Sequence, residues 1–62
     1  MTSGAELSSV ATALDELTKR VSGLAEGMSG TDRDDVAITL YEVERSLATA
    51  QRRLGRVVEQ LR

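Results

Sequence analysis

From Leu7 onward, large apolar side chains recur at steps of three and four residues without a slip: Leu7, Val10, Leu14, Leu17, Val21, Leu24 and Met28. Such a pattern puts every one of them on a single stripe of an α-helix, with the heptad period of a coiled-coil seam. A strand would need alternation with a period of two. The same rule governs a second run, Val36, Leu40, Val43, Leu47, Ala50, Leu54, Val57 and Leu61. Two seams of this length in 62 residues leave no room for another layer, so the chain reads as all-α and as one domain.

What separates the seams decides whether they form one helix or two. The chain has no proline, so a single continuous helix is the rival reading. Gly27-Met28-Ser29-Gly30 argues against it: Gly27 can take the left-handed conformation that ends many helices. Thr31 with Asp34 has the spacing of a capping box, and Asp32, Asp34 and Asp35 crowd a first turn where the helix dipole favours carboxylates. Ser3 with Glu6 has the same spacing at the start of the first helix. The expectation is a helix over about 4–26, a turn at 27–31 and a helix over about 32–61, folded as an antiparallel, coiled-coil-like hairpin. Gly23 and Gly55 fall inside these helices, as tolerated exposed positions or as points where another helix approaches.

A hairpin this small is short of core. Below roughly 70–80 residues a chain usually needs a disulfide, a metal or a partner to hold it. With no cysteine and no histidine, disulfides and the common zinc frameworks are excluded, which leaves oligomerisation or docking on a larger protein. The tighter of two registers faces Leu17 with Leu40, Leu14 with Val43, Val10 with Leu47 and Leu7 with Ala50. It strands Leu54, Val57, Val58 and Leu61 beyond the first helix; a register longer by about one heptad covers more of them but needs a longer loop. Small Ala11, Ala13, Thr18 and Ala25 flank the first seam and permit close helix packing. The chain is acidic up to Glu44, whereas Arg45, Arg52, Arg53, Arg56 and Arg62 follow against Glu59, so two hairpins packed head to tail would match opposite charges. The sequence thus predicts a homodimeric four-helix bundle with an oligomer core of Leu14, Leu17, Leu40, Leu47, Leu54, Val57 and Leu61.

No catalytic, cofactor or metal site is expected, and no small-molecule substrate. The usual general base and thiol nucleophile are missing, and Glu42 and Glu44 point in different directions from one helix. The glycine turn lacks a P-loop's lysine and spacing, and the three aspartates lack a calcium loop's ligand pattern. A net charge of −2 sets up no field that recruits nucleic acid. No apolar run is long enough to cross a bilayer and the first residues lack a secretory pattern, so a cytoplasmic protein is expected.

One feature points to a partner. Ile38, Tyr41, Arg45, Ala48, Arg52 and Gly55 form a second stripe on the second helix, with Arg56 one turn beyond Arg52. Aromatic, aliphatic and arginine side chains together are enriched at binding surfaces. The bland reading is that Ile38 and Tyr41 pack at the bundle periphery while the arginines pair with Glu42, Glu59 or a neighbouring chain. The functional reading is a regulatory or adaptor protein that docks a protein partner on Ile38, Tyr41, Arg45, Arg52 and Arg56. A small nucleic-acid-binding bundle using the same arginines is the alternative, weakened by the single aromatic and the single lysine.

Overall fold

The computed structural model describes residues 3–61 and consists of two helices, α1 (Ser3–Met28) and α2 (Asp34–Gln60), packed against each other as a hairpin. The capping box expected at Ser3 depends on a side chain outside the described residues, as does the charge of Arg62. Among the described residues no helix is long and apolar enough to cross a membrane.

The turn lies later than the sequence suggested. Helical hydrogen bonding runs through Gly27, and Ser29 N still donates to Ala25 O at 3.0 Å. Gly30, not Gly27, takes the left-handed conformation, with φ 77°. Side chains from the start of α2 explain the choice. The Asp34 carboxylate accepts from Gly30 N at 2.6 Å. Thr31 Oγ1 donates to Met28 O at 2.6 Å and accepts from Arg33 N at 3.0 Å, closing the connection on both sides. Thr31 and Asp34 therefore act together, though not as the reciprocal box their spacing implied. The residue at the α2 N-cap is Arg33, which makes no capping hydrogen bond through its side chain.

The two added residues at the end of α1 and the later start of α2 change the register. Gln51 Nε2 donates to Asp15 Oδ1 at 3.0 Å, so these residues stand level across the hairpin. Gly4 lies beside the carbonyl of Leu61, 3.9 Å from where a Cβ would sit. This overturns the tighter register that faced Leu14 with Val43. The tail of α2 is matched by the first turns of α1, and Leu54 and Val58 are half-buried there.

The helices also meet through a different seam. On α1 the covered positions are Leu7, Ala11, Leu14, Thr18, Val21, Ala25 and Met28. On α2 they are Ala37, Leu40, Tyr41, Glu44, Leu47, Ala48, Gln51, Leu54, Gly55 and Val58. Small residues hold the centre of both faces, and Ala25 and Ala37 are the buried core, at 0% and 2% exposure. Small side chains let two helices approach closely, so their neighbours pack against backbone. Thr18 fits this seam because its hydroxyl donates to Leu14 O at 2.8 Å, which leaves its methyl to pack. Ala13, grouped with these small residues by sequence, points to solvent. Gly23 and Gly55 would meet nothing within 4 Å on gaining a Cβ, so neither marks a close approach within the hairpin.

Among the described residues no large side chain is fully buried. A compact protein of 6.7 kDa exposes about 3,900 Å², yet the hairpin exposes 4692 Å², an excess of roughly 800 Å². Its Cα extents are 49 × 14 × 9 Å: a long, thin plate with two broad faces.

Candidate interaction surface

Those two faces differ in chemistry. The aliphatic residues of the predicted seams that do not reach the intrachain contact are Val10, Leu17 and Leu24 on α1, at 53%, 51% and 58% exposure. Their counterparts on α2 are Val43 and Val57, at 41% and 39%, with exposed Ala50 between them. Each stands one residue before a member of the intrachain seam: Val10 before Ala11, Leu17 before Thr18, Leu24 before Ala25, Val43 before Glu44, Ala50 before Gln51, Val57 before Val58. One residue is a rotation of about 100° about the helix axis. Antiparallel helices facing each other turn in opposite senses, so one step back along either helix rotates towards the same side of the hairpin. All six residues therefore share one broad face. A shallow groove on that face is lined by Leu14, Ala50, Leu54 and Val57, with Ser46, Thr49 and Arg53 along its rim.

The residues expected to form an oligomer core thus divide. Leu14, Leu40, Leu47 and Leu54 are half-buried between α1 and α2, whereas Leu17, Val57 and Leu61 are exposed. The first group spans the intrachain seam and the edge of the apolar face. Leu17 and Val57 belong to the apolar face itself.

The opposite face is polar. Asp15 accepts from Gln51 and also pairs with Lys19 Nζ at 3.2 Å. The hydrogen bond from Lys19, then that from Gln51, with the lysine charge adding to both, holds the Asp15 carboxyl below its ordinary value. Beside this network Thr18, Tyr41, Glu44, Arg45 and Ala48 line a second groove. Tyr41 is half-buried there.

The predicted docking stripe splits in the same way. Tyr41, Ala48 and Gly55 turn towards α1 and are partly covered. Arg45 is exposed at the groove beside Tyr41, whereas Ile38, Arg52 and Arg56 lie farther out on α2 and are exposed, Ile38 at 60%. Arg52 Nη2 reaches back along its own helix to Thr49 Oγ1 at 3.3 Å. Residues that share a stripe by spacing therefore form an arginine-rich outer surface with a tyrosine-lined groove at its edge. Sequence reasoning did not separate the apolar row from the intrachain seam. The signal was the heptad spacing of small Ala11, Thr18 and Ala25, each directly after a large aliphatic residue.

A two-helix hairpin with one apolar and one polar face defines a class of small helical proteins. Comparison places this chain nearer to no particular member, since no family model, curated protein or solved structure matches it.

Proposed function

We propose that this chain is a non-catalytic, cytoplasmic protein–protein interaction module, a small adaptor, regulator or accessory subunit, that works as a helical-hairpin oligomer with the architecture of a four-helix bundle. One observation carries the reading: on both helices a row of aliphatic residues lies a quarter-turn from the intrachain seam. A helix in a four-helix bundle contacts two neighbours about a right angle apart. Each helix here has one neighbour in its own chain and an apolar row aimed where the second would be. The hairpin's excess exposed surface is of the size that a standard interface covers on one partner, about 800 Å².

In this reading the polar face and the back of α2 stay available for a protein partner. Tyr41 supplies an anchor at the groove beside Arg45, and Ile38, Arg52 and Arg56 extend the contact. The module acts by tethering or occlusion through helix-in-groove contacts and uses no chemistry of its own. Light scattering coupled to size exclusion tests the oligomer: a helical species of twice the chain mass is expected, and a helical species of single-chain mass counts against it. Affinity capture from the native host tests the docking surface. Tyr41→Ala and Arg52→Glu are each expected to lose a partner that the parent chain retains; retention of every partner by both removes that surface from the account.

The exposed row of Arg45, Arg52 and Arg56 favours one second reading, a nucleic-acid-binding bundle whose arginines lie against phosphates. That predicts affinity falling steeply with salt, because each neutralised phosphate releases counterions. An anisotropy titration with structured RNA and duplex DNA decides it: no binding at low salt excludes the reading.

A further inference from the structure

Resting on the reading of the chain as an oligomerising module, we infer that the apolar face is covered by a second copy in inverted orientation, the turn of each hairpin against the open end of its partner, about a two-fold axis passing near Leu17 and Ala50. Three observations carry this.

The first is the symmetry of the exposed rows. The α1 row, Val10, Leu17 and Leu24, is centred on Leu17. The α2 row, Val43, Ala50 and Val57, is centred on Ala50. Asp15 stands level with Gln51, so Leu17 and Ala50 stand within about one residue of the same level along the hairpin. A two-fold axis at that level, perpendicular to the helices and in the plane of contact, lays each row antiparallel on its own copy. Val10 then meets Leu24, Leu17 meets Leu17, Val43 meets Val57 and Ala50 meets Ala50. The pair at the α2 centre is the smallest, which lets the two α2 helices close on each other.

The second is charge. Glu26, Asp32, Asp34 and Asp35 gather at the turn end against Arg33 alone, whereas the second half of α2 carries Arg52, Arg53 and Arg56 against Glu59. Two copies with their turns together would set these acidic clusters side by side. Inversion separates them. With Val43 opposite Val57 it also sets Glu42 of one copy within about one turn of Arg56 in the other, and the two-fold axis repeats that approach.

The third is area. The broad side of the hairpin that carries the apolar rows is as wide as both helices, in a chain 49 × 14 Å across its Cα atoms, and the excess exposed surface of roughly 800 Å² matches the ~800 Å² per partner of a stable interface. A single docked helix would cover only part of the width set by two helices.

The chain has no cysteine, so engineered thiols report the geometry without interference. The experiment oxidises Leu17→Cys and, separately, the Leu17→Cys/Ala50→Cys variant, with the parent chain's mass measured in parallel. Inverted pairing predicts that Leu17→Cys alone gives a covalent dimer in high yield at the parent's concentration. If only the double variant links, the turns lie together: the orientation is wrong and the oligomer reading stands. A parent dimer that neither variant links has used another face, which overturns this inference alone. A helical parent of single-chain mass overturns both.

Discussion

Replacing Leu17 with alanine should weaken the oligomer without altering how α1 packs on α2 within each copy. Burying a whole leucine side chain is worth about 1.5–3 kcal/mol. Leu17 is 51% exposed in the hairpin, so a partner has about half of that still to cover, about 1 kcal/mol per copy. Both copies lose it, which gives about 2 kcal/mol per dimer, or about a 30-fold rise in the dissociation constant. The intrachain seam is spared because it is built on Thr18 and Ala25 and not on Leu17, and alanine is the better helix former. Sedimentation equilibrium over a dilution series measures the constant, with circular dichroism at concentrations where the variant remains associated confirming unchanged helix content. Ile38→Ala serves as the control. Ile38 is 60% exposed on the back of α2, and its truncation should alter self-association by less than ~0.5 kcal/mol. Equal effects of the two substitutions, or a Leu17→Ala constant within threefold of the parent, would refute the assignment of the apolar face.

Other perturbations probe the hairpin itself. Ala25 is fully buried, so Ala25→Leu overpacks the seam and should cost about 1–3 kcal/mol in urea unfolding. Gly23 lies within α1 with open space around it, so Gly23→Ala should stabilise by about 1 kcal/mol. Gly30→Ala should instead destabilise by about 1–2 kcal/mol, because φ is 77° there; opposite signs in the same denaturation series are the expected result. Asp15 is held below its ordinary value of 3.8, so the stability it contributes is present above that value and is lost as pH falls through its lower folded value. An NMR pH titration should show its carboxyl midpoint below 3.8, and Lys19→Met, which removes the largest cause, should move that midpoint upward.

The hairpin was legible because two seams with perfect three-and-four alternation admit one local structure and the intervening glycines admit one kind of break. The exact break was not legible, since Gly27 and Gly30 both permit a left-handed turn. Capture of the Gly30 N–H by Asp34 favours the later one, and that contact exists only once the chain has turned. The register followed from it. The rotation of each helix was ambiguous for a deeper reason. Each apolar stripe is wide enough for two neighbours, and spacing alone does not say which edge meets the helix of the same chain. Thr18 and the alanines take that contact because small side chains allow the closest approach, and Leu17, Val10 and Leu24 are displaced to the flank. The docking stripe divided likewise: Tyr41 and Arg45 adjoin a groove, while Ile38 and Arg52 point away from α1.

That one copy of the hairpin lacks a sufficient core, and that a second supplies the rest, is tested most directly by thermal unfolding at chain concentrations spanning three decades. Folding coupled to association makes the midpoint rise with concentration, because mass action favours the associated state. A rising midpoint is the predicted result. A midpoint that stays fixed across the series, with full helix content at the lowest concentration, would mean that a single hairpin is sufficient.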